Sequence, residues 1–219
     1  MSGKEKKKRR KYRVRPRFFV IIAVMLLMIV VLVWSLYSVH VRNNRCEYET
    51  GREIAGAARI YIANKDLVYN SSYIEGGYPP ADIGVCTDVV WNALRGFDVD
   101  LRQLVSSDIY AAGSAYRNII DVPDNDIDFR RVDVLEVYMN RHCKVLDRNV
   151  NNLLAWMPGD IVTFESSHVA VVSDFTNIWG RPLIIQHGKD PAAEEDHLIS
   201  EDGMEISGHF RWPVNNWDK

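Results

Sequence analysis

The stretch YIEGGYPPADIGVCTDVVWNAL, residues 73–94, passes from a loop rich in glycine and proline into an apolar helical pattern. Gly96 follows the stretch and predicts the end of that helix. Cys86 stands at the first helical position, where unpaired amide groups and the positive end of the helix dipole lower the pKa of a thiol. The stretch therefore predicts a nucleophilic Cys86, with a small cysteine packed in the core as the alternative.

The elements around this stretch form two groups. Apolar residues recur at helical spacing in three further segments, 51–64, 101–112 and 132–141. After Pro158 the period changes, and short β-branched runs predict strands near 161–164, 169–172, 183–185 and 208–212. Helices followed by an antiparallel meander predict an α+β domain, with the helices packed on one face of a small sheet.

The N-terminal residues differ in composition from the rest of the chain. Residues 1–17 hold ten lysines and arginines against one acid, and an apolar run follows them. We therefore predict a basic cytoplasmic tail and a transmembrane helix over residues 18–37. Residues 38–50 are then a juxtamembrane linker, and 51–219 a domain on the outer side of the cell membrane. A cleaved signal peptide is the alternative, but no small-residue cleavage site stands before Arg42.

The charge of the predicted outer part argues against nucleic acid as a partner. Removing the ten basic residues and one acid of the tail from totals of 27 and 29 leaves 17 basic and 28 acidic residues, a net charge of −11. Such a surface repels phosphates. The basic tail itself is typical of a topology signal rather than of a nucleic-acid site.

The chain has three cysteines, Cys46, Cys86 and Cys143. In an oxidising exterior an odd number leaves at least one free thiol or forces a bond to another molecule. A disulfide between Cys46 and Cys143 would spare Cys86, but the sequence leaves that pairing open.

A cysteine nucleophile needs a base that works near neutral pH, and imidazole is suited to that role. His168 is the candidate, since it stands at the start of the strand predicted over 169–172. Gln186 and His187 end the neighbouring apolar run, and either could orient the imidazole. Their side chains point to opposite faces of a strand, so only one can serve, and we favour His187.

This order of residues resembles that of the papain-type thiol hydrolases, and among them that of the bacterial NlpC-type cell-wall peptidases. That group carries a Tyr-x-x-Gly-Gly segment shortly before the nucleophile, and here Tyr73, Gly76 and Gly77 precede Cys86. The resemblance implies a papain-like, NlpC-type fold. It also implies that Tyr73 lies in the active site, where its hydroxyl helps to stabilise an oxyanion.

The chain more closely resembles the bacterial family named domain of unknown function 1287. The resemblance covers Ala55 to Pro213 and rests on His168 with its strand and on the segments GVCTDVV (84–90), DFRRV (128–132), PGDIV (158–162) and GHFRW (208–212). The family typically ends one apolar strand in His-Asn, whereas this chain has Gln186-His187. The departure leaves the identity of the orienting residue open.

Three further residues are candidates for substrate binding. Asp88 could bind a substrate amine or hold a neighbouring loop. Arg130 and Arg131 could clamp a substrate carboxylate through bidentate hydrogen bonds, or pair with the acidic loop 121–128.

The resemblances imply a membrane-anchored extracytoplasmic cysteine hydrolase of peptide or amide bonds in bacterial cell-wall peptides, without cofactor or metal. Cys86 attacks the amide carbonyl, and His168 moves the proton. Two alternatives stay open, namely an inactive domain that binds wall peptides or a membrane partner, and a thiol-dependent acyl or amide transferase. A zinc site of Cys86, His168 and His187 lacks the short-spaced ligand pair that would support it.

Overall fold

The computed structural model describes residues 16–199 and 203–213, without the side chains of residues 16–20 and 37–44. The chain divides into two units between Arg45 and Cys46. Among the described residues, no helix is both long enough and apolar enough to cross a membrane. The predicted span, 18–37, has side chains at both ends that lie outside the described set. It therefore stays a prediction, and most of the basic tail also lies outside the described residues.

The described residues form five α-helices: α1 (Pro16–Ile62), α2 (Cys86–Arg95), α3 (Leu101–Ala111), α4 (Gly113–Tyr116) and α5 (Val132–His142). Three of them, α2, α3 and α5, confirm helices predicted from the apolar spacing. α1 differs from the prediction, because it includes residues 38–50, which we expected to form a linker. No glycine or proline occurs between residues 17 and 50, so the local sequence supplies no helix breaker there.

The strands are β1 (Val68–Tyr69), β2 (Ile83–Gly84), β3 (Lys144–Val145), β4 (Ile161–Phe164), β5 (His168–Thr176), β6 (Pro182–Gln186), β7 (Ala193–Glu195) and β8 (Ile206–Arg211). β1 and β2 form a short parallel pair. The other six form one antiparallel sheet in the order β3-β8-β4-β5-β6-β7. The predicted α+β class and the predicted strands from residue 161 onward are confirmed.

The two faces of the sheet have separate apolar cores, because successive residues of a strand point to opposite sides. Helix residues from α1, α2, α3 and α5 pack on one face, against side chains that include Val169 and Ile185. On the other face, Ala170 and Ile184 meet Trp156 and Leu198, which come from loops and short turns. Cys86 belongs to the helix-covered face.

Candidate active site

Cys86 begins α2 directly after β2, and its backbone is fixed by close contacts. The Asp88 carboxylate accepts the Val85 backbone N–H at 2.8 Å, which satisfies a donor at the helix start. Gly84 is required next to it, because a Cβ there would lie 2.1 Å from the Tyr61 hydroxyl oxygen. The loop sequence thus holds the nucleophile candidate at a rigid strand-to-helix junction.

Asp88 and Arg130 form an ion pair inside the protein. Arg130 donates from Nε and Nη2 to the two carboxylate oxygens at 2.9 and 2.8 Å, and the side chains are 0 % and 1 % exposed for Asp88 and Arg130 respectively. The Trp91 indole donates to the same carboxylate at 2.7 Å. Arg131 donates to a backbone carbonyl and to Asp133. These partners correct the substrate-binding expectation: Asp88 and Arg130 hold α2 in place, and Arg131 is engaged within the protein.

The thiol of Cys86 is 6 % exposed, and burial raises its pKa to about 11. Backbone N–H groups of Val169 and Thr87 lower the pKa, but they offset only part of the desolvation. Burial thus outweighs the lowering of the pKa that we expected at the helix N-terminus. With a pKa of about 11, the group is a protonated thiol at neutral pH.

His168 begins β5 immediately after a tight turn. The turn residues Glu165 and Ser166 have φ of 48° and 52°, and this left-handed pair returns the chain from β4 to β5. Gly188 lies against the imidazole, where a Cβ would be 3.0 Å from Cε1. In the described residues, the side chains of His168 and Cys86 share no hydrogen bond, and the His168 ring meets the Phe164 ring at a centroid distance of 6.0 Å.

Gln186 is the residue that contacts the imidazole. Its Oε1 accepts from the Nε2 of His168 at 2.5 Å, and its amide nitrogen donates to Glu195 at 2.6 Å. His168 therefore carries a proton on Nε2 and keeps a lone pair on Nδ1, the form that can accept a proton. Desolvation lowers the pKa of His168 below 6.5, while Gln186 and Glu195 oppose that change, so the ring is neutral at pH 7.

His187 has different partners, which corrects our preference for it as the orienting residue. Its side chain is fully buried, and its Nε2 donates to the Asp190 carboxylate at 3.2 Å. Its Nδ1 has no hydrogen-bond partner among the described residues. The alternation along β6 explains the result, because Gln186 shares a sheet face with Ile184, whereas His187 follows on the face of Ile185.

A tyrosine lies at the site, but it is Tyr69 rather than Tyr73. The Tyr73 ring is 57 % exposed, and its hydroxyl contacts Asp124 in the acidic loop at 3.5 Å. Tyr69 meets the His187 ring edge-on at 5.4 Å. Its pKa is raised by burial and then by the charges of Cys86 and Asp88. Tyr69 is brought to the start of α2 because it pairs with Gly84 of β2. The local sequence pattern does not reveal this pairing.

A cleft of about 310 Å³ opens beside the imidazole. Its polar lining includes His168, Gln186, Glu195, His197 and Lys189, and Tyr69 and Phe164 add aromatic surface. In the part of the chain that the structure describes, no three His, Cys, Asp or Glu side chains are grouped to hold a metal ion. Its three cysteines are free thiols. The cleft leaves one edge of the His168 imidazole open to a bound molecule.

Comparisons with known proteins confirm one of the two resemblances seen in the motifs, that to domain of unknown function 1287. The family described as Domain of unknown function (DUF1287) matches residues 55–212. The uncharacterized protein YijF of Escherichia coli (strain K12) is 36 % identical over 175 residues, which are 75 % of this chain and 83 % of the relative. No solved structure matches the chain. The matched segment contains Cys86, His168 and Gln186, and the chain belongs to the DUF1287 family.

Proposed function

We propose that the protein is a cysteine hydrolase of peptide or amide bonds, with Cys86 as the nucleophile and His168 as the base. The main support is the placement of Cys86 at the start of α2 and of His168 at the start of β5, where the Val169 amide lowers the pKa of the thiol and Gln186 binds Nε2 of the imidazole. The cleft beside that imidazole offers room for a substrate. The order of cysteine, histidine and a polar third residue also supports a papain-like fold of the NlpC type.

The reaction begins from two neutral side chains. Nδ1 of His168 accepts the thiol proton while Sγ of Cys86 bonds to the carbonyl carbon of the substrate amide. The imidazolium then gives that proton to the departing amine as the C–N bond breaks. Water next attacks the thioester, His168 accepts its proton, and the proton returns to sulfur as the C–S bond breaks and the acid leaves.

The oxyanion formed in both steps needs donors that are already in place. The backbone N–H of Cys86 at the start of α2 is one, and the hydroxyl of Tyr69 is the second, in place of Tyr73. Removal of one such donor lowers the rate by about 10²- to 10³-fold in well-studied hydrolases.

The substrate we propose is a peptide or amide bond of the bacterial cell wall. The resemblance to NlpC-type peptidases supports this class. A transmembrane helix over residues 18–37, with the basic tail in the cytoplasm, would hold the domain between membrane and wall. The acidic composition of the rest of the chain is compatible with this location and unfavourable for nucleic acid.

A binding domain without catalysis is the second candidate, and the state of Cys86 is the observation that favours it. A buried thiol with a raised pKa and no hydrogen bond to His168 is also what a packed core cysteine shows. In that case the cleft binds wall peptides or a membrane partner, and Cys86 contributes only packing.

The test is digestion of purified cell-wall peptidoglycan by the full-length chain in mild detergent, with products identified by mass spectrometry. We expect fragments that have gained one water, and a loss of at least about 10³-fold in Cys86→Ser. Cys46→Ser is the matched control, because Cys46 is an exposed thiol on α1. Fragments that carry an added amine instead of water would identify a transferase. An inactive wild type whose binding to peptidoglycan survives in Cys86→Ser would replace the hydrolase with the binding domain.

A further inference from the structure

Glu195 forms a hydrogen bond with Gln186, the residue that holds the imidazole of His168. Its Oε1 accepts the amide nitrogen of Gln186 at 2.6 Å, and His197 Nδ1 lies 3.5 Å from the same oxygen. The reaction proposed above uses neither side chain. The contact is nevertheless part of a continuous chain of hydrogen bonds that ends on the imidazole of His168.

An amide alone is an ambiguous partner for an imidazole. The oxygen and nitrogen of Gln186 are similar in size, and a half-turn of the amide exchanges an acceptor for a donor. With the nitrogen facing it, His168 would be held with a lone pair on Nε2 and a proton on Nδ1, and that form cannot take the proton of Cys86. Orienting the wrong tautomer costs about 10⁴-fold in a well-studied serine protease.

A carboxylate removes the ambiguity, because an ionised carboxylate only accepts. Glu195 therefore binds the NH₂ group of Gln186 and leaves the amide oxygen for His168. Of the other charged groups that line the cleft, Lys189 is exposed and His197 faces Glu195 rather than His168.

The edge strand β7 holds Glu195 where this contact requires it. In the β6–β7 pairing Glu195 is opposite Ile184, so it shares a face with Gln186, two residues along β6. Glu194, its neighbour, points to the other face, where Arg59 of α1 donates to its carboxylate at 2.7 and 2.8 Å. The three-residue strand is thus held on both faces, by Glu195 to Gln186 on one and by Glu194 to Arg59 on the other.

We propose that Glu195 is a positioning residue, which fixes the Gln186 amide and so selects the Nε2–H tautomer of His168. The inference rests on the proposed function, since the tautomer matters only if His168 accepts the Cys86 proton. Glu195 does not touch the thiol or the reacting carbonyl. It acts through Gln186.

The test follows the His168 ring by ¹⁵N–¹H NMR in the full-length chain, with the signals assigned by His168→Ala. Glu195→Met keeps the length of the side chain and removes the acceptor. We expect a mixture of tautomers, a lower pKa of His168, since the Glu195 charge raises it, and about 10-fold slower peptidoglycan hydrolysis, as for residues that orient metal-bound histidines. Glu195→Gln, whose amide can accept or donate, is the second variant if Glu195→Met fails to fold.

A rescue separates positioning from general damage. In Glu195→Met/Gln186→Glu the carboxylate at position 186 accepts from Nε2 without help, so the Nε2–H tautomer and most of the rate return. Asp196→Asn removes a neighbouring charge that contacts Asn177, and it leaves the tautomer unchanged. Wild-type tautomer and rate in Glu195→Met would overturn the inference. A changed tautomer in a chain that never hydrolyses peptidoglycan would keep the positioning role and remove the proposed hydrolase.

Discussion

Two histidines on the same sheet, His168 and His209, show how a structural imidazole differs from one that is free to react. His209, on β8, is fully buried, with Nδ1 on the Asp147 carbonyl at 2.6 Å and Nε2 on the Asp160 carboxylate at 3.0 Å. Its ring is stacked on Trp156, with centroids 3.7 Å apart. His168 has one nitrogen held by Gln186, and its ring borders the cleft.

The comparison teaches that the number of ring nitrogens with hydrogen-bond partners, rather than burial, distinguishes a structural histidine from one that can react. Both histidines stand in apolar strand segments, and the sequence shows each beside hydrophobic neighbours. His209 has no lone pair left for a substrate, because both nitrogens have partners within the protein. His168 retains one, on Nδ1, because Gln186 binds only Nε2.

The largest effect we expect is the loss of stability in Asp160→Asn, because the Asp160 carboxylate binds both His209 and Arg211. Arg211 donates to both Asp160 oxygens at 2.7 and 2.8 Å, and removal of the charge leaves a mostly buried guanidinium with only the more distant Glu47 carboxylate, at 3.4 Å, as counterion. We expect the free energy of unfolding to fall by about 3 to 5 kcal/mol, measured by urea denaturation.

Asp147→Asn is the control for that experiment, because His209 contacts only the backbone carbonyl of Asp147. Its exposed carboxylate binds Asn149 and Asn152, so the change should cost less than about 0.5 kcal/mol. If Asp160→Asn kept its stability and lost hydrolysis instead, the assignment of the two histidines would have to be exchanged.

The second effect concerns Cys86, the thiol that His168 deprotonates in the proposed reaction. With a pKa of about 11, Cys86 should react with iodoacetamide at pH 8 about 200-fold more slowly than a free thiol of pKa 8.5, because its thiolate fraction is smaller by that factor, and the rate should rise about tenfold per pH unit up to about pH 10. Mass mapping separates Cys86 from the exposed Cys46, which is the internal reference. A rate that levels off below pH 8 would show a thiolate–imidazolium pair and a resting state unlike the one described.

The smallest effect is a displacement of the His168 ring by Gly188→Ala. The new Cβ would lie 3.0 Å from Cε1 and 3.5 Å from Nδ1, so the ring has to shift by a few tenths of an ångström. We expect about 10-fold slower hydrolysis with little change in unfolding, because a misplaced catalytic group loses rate before the fold loses stability.

Gly96→Ala provides the matched control, since a Cβ there meets no atom within 4 Å. Equal hydrolysis rates in the two alanine variants would mean that the His168 ring position does not limit the reaction.

The fold was largely predictable because its signals are local. The β-branched runs at 161–164 and 183–185 and the apolar spacing after Cys86 depend on neighbours within a few residues, and each produced the expected element. The family could also be recognised from short motifs around Cys86 and His168, and the match to residues 55–212 confirms it.

The site was less predictable because its contacts join distant parts of the chain. Nothing near Asp88 indicates that Arg130, 42 residues later, neutralises it. The choice between Gln186 and His187 depends on strand register, which adjacent residues do not reveal. Burial, which sets the pKa of Cys86, depends on the packing of several elements around one residue.

The contact between Arg59 and Glu194 also sets a limit on how the chain can be cut. A protease that cleaves α1 just before Gly51 leaves Ile54 and Ala58 in the core and Arg59 on β7. Cleavage after Ala58 removes both apolar residues from the domain and leaves Arg59 near a frayed chain end. Release of a folded domain by proteolysis therefore depends on about two turns of a single helix.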